Sequence, residues 1–538
     1  MGLLNGIVYS WTGDNSDVDT ESLDISGAFL QGLDYAQLAQ QARSLGYEYR
    51  HTRRVFVVPP ENVWRHFRKI CKQLGKKCDV GSVSDADRWA WCLQCLRAMY
   101  GFADAPLMFQ LALLMFLKDD TEARASVLDD NFLYWLWPIS GKLELVLVMT
   151  IHVDDLQLTG SQHVRDWMHK KLEARFGELQ RQRMPYTHAG IELERISADC
   201  VLQHQTKFIM KLEPHKLSRE QTATPDLALD AQYTTIFRSK TCAALWGCQT
   251  RQDELCHVTS LQQHLQKPTM QHLMEINNII RRLQRPQSER SLPLGLYYRR
   301  LYPPFRVVTV SDASSANKKS NFATEGTAAL IMEDRLGEPR CDKGDFLAEE
   351  DIHLVGGAGH LLIGLSQKSK RVSHSTSHAE TLSAAKCIPV GQLVCMRLAE
   401  PDIAIRFNRP PTPMALLQIQ DSSECPVCHD HFIDCMDLWE LACGLRGIPQ
   451  DKSQRLGVLA IREERRSLRL RRFYHVRTHW MLVDQLTKYD GYVSASLMEI
   501  LSSGYWTIAG TLRVRHHFGK EQPTQEPTQI AANYSCDE

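Results

Sequence analysis

The chain has 538 residues, of which 43% are hydrophobic and 23% are charged. These proportions exclude a chain that is disordered throughout, and the length predicts two or three domains, each with its own core. Basic and acidic residues number 63 each, so the net charge gives no indication of a polyanionic partner.

The 16 cysteines are scattered, often beside apolar residues, which is typical of reduced intracellular thiols. The longest apolar run, residues 143–158, is interrupted by His152, Asp154 and Asp155, so no uncharged run has the length needed to cross a bilayer. We therefore expect an intracellular protein of the cytoplasm or nucleus, with no signal peptide and no membrane partner.

The first informative stretch is residues 22–32, SLDISGAFLQG. A short strand is expected at residues 23–25, followed by a compact segment between Gly27 and Gly32 that contains Phe29. Taken alone, Asp24 is typical of a helix cap or a turn.

Two adjacent acids, Asp154 and Asp155, interrupt the apolar stretch 146–160, VLVMTIHVDDLQLTG. The residues before them predict a buried strand, and Leu156 and Leu158 predict its return partner, with the two acids in the tight turn of a hairpin. Neighbouring carboxylates repel each other, and burying them without a partner is costly. They therefore either face water in an exposed turn or hold a cation, and ligands of this kind suit magnesium.

Acidic residues also end apolar runs in the C-terminal half. Residues 306–312, RVVTVSD, predict a strand that ends at Asp312. Residues 366–385, SQKSKRVSHSTSHAETLSAA, predict a polar strand, a turn rich in Ser and Thr, and a helix that begins near His378 with Glu380 in its first turn. A lone Glu at that position is typical of an interaction with the helix dipole.

Two acids compete for a third position of this kind. Asp421 follows the apolar run 415–419, whereas Asp434 follows Phe432 and Ile433 and opens an amphipathic helix at 436–445. A further acid, Asp484, lies in the segment MLVDQLTK.

Two other segments carry chemistry-bearing residues. Residues 425–435, CPVCHDHFIDC, contain one Cys-x-x-Cys without a matched second pair, which is weak support for zinc. Residues 462–477 carry seven arginines, which are either a local phosphate-binding face or a solvated helix and strand.

These motifs, in this order from Leu23 to about Trp506, resemble the Pol polyproteins of copia-type retrotransposons. IHVDDLQLTG is similar to the Tyr-x-Asp-Asp hairpin of their reverse transcriptase, with His152 where the family usually has Tyr. LDISGAFLQG is similar to the first palm motif, Leu-Asp-Val-Lys-Thr-Ala-Phe-Leu-Asn-Gly. The segment at 91–110 keeps Tyr100, Gly101, Ala105 and Pro106 of a third palm motif, whereas Ala103 and Asp104 replace the usual Lys and Gln.

The resemblance implies roles for the palm residues. Asp24, Asp154 and Asp155 would hold two Mg²⁺ ions, and Phe29 would pack under the sugar, where a 2′-hydroxyl would clash. The segment with Tyr100 and Gly101 would lie beneath the incoming base pair and the template.

The resemblance also implies a ribonuclease H-like domain. Asp312 and Glu380 match its first two acids, and Asp484 in MLVDQLTK matches the family's Ala-Asp-x-Leu-Thr-Lys. We prefer Asp434 to Asp421 as the third acid, because this fold places it at a strand-to-helix junction. Together these four carboxylates would hold two further Mg²⁺ ions.

The expected fold class is therefore α/β (α+β), with a reverse-transcriptase palm and thumb followed by a ribonuclease H-like α/β domain. We expect the palm in residues 1–215 without its fingers, the thumb and connection in 216–300, the ribonuclease H-like domain in 301–506, and a polar, disordered tail in 507–538. The implied partners are template-primer RNA and DNA, RNA–DNA hybrid and deoxynucleoside triphosphates.

A decayed or co-opted copy, which folds and binds nucleic acid without catalysis, is the alternative function. Only 23 residues precede Asp24, where the family carries its fingers, and Asp104 places a negative charge where the family has a neutral Gln.

Overall fold

A computed structural model describes residues 18–44, 54–58, 61–75, 92–314, 322–338, 340–343, 345–409, 411–421, 424–489 and 493–515. The described residues form two compact units, one that ends at Arg183 and one that begins at Met184. The predicted mixture of helices and sheets is confirmed. The expected palm bounds of 1–215 remain a prediction. The expected tail lies outside the described residues from position 516 onwards.

Twenty-one strands are present in the described residues. They are β1 Val18–Ile25, β2 Val55–Val57, β3 Leu93–Cys95, β4 Arg124–Ala125, β5 Phe132–Ile139, β6 Lys142–His152, β7 Asp155–Ser161, β8 Leu179–Arg183, β9 Tyr186–His188, β10 Ile191–Ser197, β11 Cys200–His204, β12 Leu296–Arg299, β13 Phe305–Ser314, β14 Thr324–Glu333, β15 Cys341–Lys343, β16 Phe346–Leu347, β17 Gly357–Lys368, β18 Cys428–Ile433, β19 Arg472–His475, β20 Tyr505–Trp506 and β21 Arg513–Arg515.

The α-helices of the described residues lie between these strands. They are Tyr35–Ser44, Glu61–Gln73, Ala105–Thr121, Gln162–Phe176, Thr206–Met210, Arg219–Ala223, Ala231–Gly247, Leu255–Gln262, Met270–Glu289, Ile352–Val355, Thr376–Phe407, Pro413–Asp421, Met436–Ala442, Lys452–Arg466 and Ala495–Ser503.

The first unit is built on a six-stranded sheet of order β4-β5-β6-β7-β1-β8. The helix Ala105–Thr121 buries residues at a helical spacing of three and four, and the helix Gln162–Phe176 does the same. Both helices contribute to one apolar core with the sheet, whose members include Leu23, Phe109, Leu113, Trp135, Leu147, Met149, Leu156, Leu158, Met168 and Leu172. This packing fixes β1 beside β7, which is the pairing that positions the first candidate site.

The second unit contains a nine-stranded sheet of order β15-β16-β21-β19-β18-β13-β14-β17-β20. At its centre, β13 pairs antiparallel with β14 and parallel with β18, and β18 pairs parallel with β19. The helix Thr376–Phe407 packs on β13 and β14. A separate four-stranded antiparallel sheet has the order β12-β11-β10-β9.

One helix of the described residues, Thr376–Phe407, is long and apolar enough to cross a membrane by length and composition alone. More than half of its most apolar window, 56%, is buried within the protein. A core helix of a folded domain has the same character, so this helix is weak evidence for a membrane span.

Candidate active sites

The hairpin of the first unit turns one residue earlier than expected. His152 pairs with Asp155, so Val153 and Asp154 form the turn and Asp155 opens the return strand β7. We had expected both acids in the turn. Val153 adopts a left-handed conformation with φ 61°. A β-branched residue disfavours this conformation, so the sequence does not indicate Val153 as a turn residue.

Asp24 lies directly opposite Asp155 in the antiparallel pairing of β1 with β7. Residues that face each other in this way have their Cβ atoms roughly 4.5–5.5 Å apart on the same face of the sheet. The structure therefore brings together two acids that are far apart in the sequence, and it places Asp154 in the adjoining turn.

Burial and the repulsion between carboxylates raise the pKa values of Asp24 and Asp155. The pKa of Asp24 is raised by partial burial and by the charge of Asp154, and that of Asp155 is raised by burial and by the charges of Asp154 and Asp24. A bound cation would relieve this repulsion, and three carboxylates are the hard oxygen ligands that Mg²⁺ prefers.

Two aromatic residues that we singled out lie in contact beside this sheet. The rings of Phe29 and Tyr100 have centroids 4.9 Å apart, and Tyr100 is exposed. Gly101 follows with φ 90°, a conformation that glycine adopts without strain. Asp104 occupies the cap position of the helix Ala105–Thr121, where the positive end of the helix dipole stabilises an acid.

The second unit gathers its acids from separate elements. Asp312 lies on β13, which continues two residues beyond it to Ser314, so the predicted strand was too short. Glu380 is the fifth residue of the helix Thr376–Phe407, in its second turn and not in the first as we predicted. Ser375 caps this helix by accepting a hydrogen bond of 3.1 Å from the backbone N–H of His378. Glu380 is therefore too far along the helix for an ordinary capping role.

Asp434 joins the first two acids. It follows β18, the parallel neighbour of β13, and one carboxylate oxygen from each of Asp312, Glu380 and Asp434 lies within 4.8 Å of the others. Asp421 ends the helix Pro413–Asp421, so the apolar run before it is part of that helix. The strand-to-helix junction that favoured the preferred third acid is thus present at Asp434.

Asp484 begins a short 3-10 helix, Asp484–Leu486, and reaches the same cluster. Its charge raises the pKa values of Asp312 and Asp434, and its carboxylate pairs with Lys488. The hydroxyl of Thr487 donates a hydrogen bond to the Asp312 carboxylate. Asp484 therefore lies beside the three acids that meet at ligand distance.

Burial dominates the electrostatics of this tetrad, by which we mean Asp312, Glu380, Asp434 and Asp484. Burial and the Asp434 charge raise the pKa of Asp312 to about 7. Burial and the Asp312 charge raise the pKa of Glu380, and burial is also the largest cause of the raised pKa of Asp434. The site holds more negative charge than its surroundings neutralise.

The donor set of the tetrad fits magnesium. Every candidate ligand atom is a carboxylate oxygen, and within the described part of the chain Oε2 of Glu380 and Oδ2 of Asp484 are buried without a hydrogen-bond partner. Buried oxygens in this state are costly unless a cation or water satisfies them.

Sequence reasoning missed the residues that orient these acids. Thr478 donates a hydrogen bond of 2.8 Å to Oδ2 of Asp434, and Thr487 and Lys488 contact the other acids. Thr487 and Lys488 stand inside the MLVDQLTK motif, which could have identified them. No local pattern marks Thr478.

The arginine-rich segment 462–477 lies on a helix and a strand, as one of its two interpretations has it, but it is only partly exposed to solvent. Arg465 and Arg472 are buried, and Arg471 and Arg472 form ion pairs with Asp334 and Asp430. The charges of Arg471 and Arg472 hold the pKa of Asp430 far below its usual range. Much of the segment is therefore an internal ionic network, not a surface.

Among the described residues, potential metal ligands group at binding distance in two places. One group is Asp312, Glu380 and Asp434, and the other is Glu192, Glu194 and His204. The three palm acids belong to neither group. The cysteines of CPVCHDHFIDC belong to neither group, so the structure gives the zinc hypothesis for this segment no support.

Comparison with known proteins finds a weak similarity to a retrotransposon Pol polyprotein. No protein-family model matches the chain. The retrovirus-related Pol polyprotein from transposon RE1 of Arabidopsis thaliana is 25% identical over 341 residues, 61% of this chain and 20% of the polyprotein. The chain thus spans about one fifth of that relative's length, a coverage of 20%. Among solved structures, the chain is similar to the foamy viral protease-reverse transcriptase in complex with RNA/DNA hybrid. The match covers 91% of this chain and 47% of the viral chain, with 11% identity and a TM-score of 0.39.

Proposed function

We propose that the chain is the reverse transcriptase and ribonuclease H segment of a copia-type retrotransposon Pol polyprotein, and that its tetrad hydrolyses the RNA strand of an RNA–DNA hybrid. The observation that carries this proposal is the convergence of Asp312, Glu380 and Asp434 to within 4.8 Å, with Asp484 beside them. The weak homology to a plant Pol polyprotein supports the same class.

The tetrad residues have distinct tasks in this proposal. Asp312, Glu380, Asp434 and Asp484 would hold two Mg²⁺ ions, which when bound supply a water activated for attack and charge neutralisation at the leaving oxygen. Thr487 and Thr478 fix the orientations of Asp312 and Asp434 through hydrogen bonds. Lys488 balances part of the negative charge at Asp484.

Primer extension on an RNA or DNA template is the second activity in this proposal. It is favoured by the direct pairing of Asp24 with Asp155 and by the contact of Phe29 with Tyr100. Asp24, Asp154 and Asp155 would hold Mg²⁺ and a deoxynucleoside triphosphate, with Phe29 against its sugar.

The decisive experiment measures magnesium-dependent cleavage of the RNA strand in an RNA–DNA hybrid by the purified chain. We expect cleavage by the parent and its loss in Asp312→Asn. A matched control is Asp437→Asn, since Asp437 is exposed and pairs with Arg446 on the protein surface. Equal cleavage by Asp312→Asn and the parent would refute the assignment.

A primed template in the same preparation ranks the two activities. We expect little deoxynucleotide incorporation compared with hybrid cleavage, because Asp104 adds a negative charge near the aromatic pair. Robust extension without cleavage would reverse this order. Absence of both activities in a folded preparation would favour the decayed copy.

A further inference from the structure

The hairpin β10–β11 carries a second group of potential metal ligands that the proposed function does not use. Glu192 and Glu194 are two residues apart on β10, so their side chains lie on the same face of the sheet. His204 on β11 pairs directly with Glu192, which places it on that face as well.

The three side chains converge at ligand distance. One ligand atom from each of Glu192, Glu194 and His204 lies within 4.8 Å of the others. Nδ1 of His204 is 3.6 Å from Oε2 of Glu192, and Nε2 is 3.3 Å from Oε1 of Glu194. Glu192 and His204 are buried, whereas the Glu194 side chain is 44% exposed. The group is therefore largely buried, and Glu194 opens it to solvent.

The imidazole of His204 is poised for a ligand. His204 is only 4% exposed, and within the described residues its Nε2 atom is buried without a hydrogen-bond partner. Nδ1 lies 2.8 Å from the hydroxyl of Thr206. Metal-binding histidines commonly use the second ring nitrogen in such a hydrogen bond, which fixes the ring and leaves the first nitrogen for the ion.

The backbone around His204 holds the ring in place. A Cβ atom added at Gly295 would lie 3.2 Å from the Cβ of His204 and 2.3 Å from the carbonyl oxygen of Gln203. Only glycine permits so close an approach of the two chain segments. The histidine is thus fixed by packing on one side and by Thr206 on the other.

Glu192 also keeps an oxygen for a cation. Its Oε2 accepts a hydrogen bond of 2.8 Å from the backbone N–H of Lys207, and its Oε1 lies 3.4 Å from the ammonium of the same residue. The Lys207 side chain is 75% exposed, so it can move into solvent when another cation takes its place.

We propose that Glu192, Glu194 and His204 form a binding site for a divalent transition-metal ion on the hairpin β10–β11. Two carboxylates and one imidazole suit first-row ions such as Zn²⁺, and three protein ligands leave a position for water. In this site Lys207 competes with the ion for Glu192.

The test measures Zn²⁺ bound per chain in the presence of excess Mg²⁺, which occupies the all-carboxylate sites. The parent is expected to bind one more ion than His204→Gln or Glu194→Gln, since any zinc held by other side chains is common to all three proteins. Glu289→Gln is the matched control, because Glu289 is exposed and pairs with Arg285 in the same unit. This control is expected to bind as the parent does.

Two further measurements separate metal binding from a structural ion pair. Glu194→Gln changes a half-exposed side chain, and we expect it to abolish the rise in unfolding temperature that Zn²⁺ gives the parent. Lys207→Ala is expected to bind Zn²⁺ several-fold more tightly, a gain that loss of folding does not produce. Equal stoichiometry in parent, His204→Gln and Glu194→Gln would overturn the proposal and leave a structural contact of His204 with two glutamates.

Discussion

The two acidic sites of this chain are assembled in opposite ways. In the first unit, Asp154 and Asp155 are adjacent in the sequence and Asp24 faces Asp155 from a neighbouring strand of the same sheet. In the second unit, the tetrad comes from a strand, a helix, a strand-to-helix junction and a 3-10 helix, spread over residues 312–484. A single hairpin therefore creates most of the first site, whereas the second exists only when the whole domain is folded.

Burial differs between the sites as well. The three palm acids are half-buried, whereas Asp312, Glu380 and Asp484 are 6%, 3% and 1% exposed. Low solvent access strengthens repulsion between like charges, so the tetrad depends more strongly on a cation than the palm site does. The comparison predicts that removing one acid weakens metal binding more at the tetrad than at the palm site.

The largest expected effect is the loss of hybrid cleavage in Asp434→Asn. Removing one of four carboxylates weakens metal binding, and we expect cleavage to fall by about 100-fold or more, equivalent to roughly 3 kcal/mol of transition-state stabilisation. The matched control is Asp421→Asn, which changes the competing acid at the end of a helix. Cleavage rates of the two variants, measured at saturating Mg²⁺, test the choice, and a larger loss in Asp421→Asn would show it to be wrong.

The contrast in assembly explains what the sequence could predict. The hairpin was visible because VLVMTIHVDDLQLTG places two acids between apolar runs, and its turn was misplaced by one residue because Val153 is an unfavourable residue for a left-handed conformation. The tetrad acids were each identified, but only through the resemblance. Nothing local indicates that Asp312 and Asp484 share a site.

Buried charge was the part that sequence reasoning missed. Arg471 and Arg472 appear in a run of arginines that suggests a surface, yet each pairs with Asp334 and Asp430 from distant segments. Such pairs have no sequence periodicity, because the partners are brought together by the order of strands in the sheet.

The next largest effect concerns pH and stability in the absence of metal. The pKa of Asp312 is about 7 in the folded protein against an ordinary value of 3.8, so the folded state binds more protons between these values. Its contribution to the free energy of unfolding therefore decreases as pH rises from about 4 to about 7, by something on the order of 1–3 kcal/mol.

Asp312→Asn tests this dependence, since the neutral amide cannot ionise. We expect urea unfolding to show the variant more stable than the metal-free parent at pH 8, with the difference vanishing near pH 4. Added Mg²⁺ should stabilise the parent more than the variant, because it binds the folded state. A difference that is independent of pH would contradict the burial of a charged tetrad.

A smaller effect is expected from restoring the usual residues at the palm. In Ala103→Lys with Asp104→Gln, one positive charge is added and one negative charge is removed near Tyr100, and we expect affinity for a primed template to rise about tenfold at low salt. The slope of log affinity against log salt concentration should steepen by an amount that corresponds to the release of about one to two further counterions. Asp104→Gln alone should destabilise the helix Ala105–Thr121 by roughly 0.5–1 kcal/mol, through loss of an acid at its N-terminus. Unchanged affinity in the double variant would place the nucleic acid away from this segment.

The smallest expected effect concerns the turn of the palm hairpin. Val153 holds φ 61° between His152 and Asp154, and a left-handed conformation costs an L-residue roughly 1–2 kcal/mol relative to glycine. Val153→Gly removes this strain but also removes the half-buried isopropyl group, so it should stay within about 1 kcal/mol of the parent. Val153→Ala removes most of the side chain and keeps the strain, which makes it the matched control. We therefore expect the free energy of unfolding in urea to be higher for Val153→Gly than for Val153→Ala by about 1 kcal/mol.

If the strain at Val153 also fixes the direction of Asp154, Mn²⁺ should bind the palm of Val153→Gly less tightly than that of Val153→Ala, although Val153→Gly is the more stable variant. Equal stability of the two variants would show that the turn stores no strain.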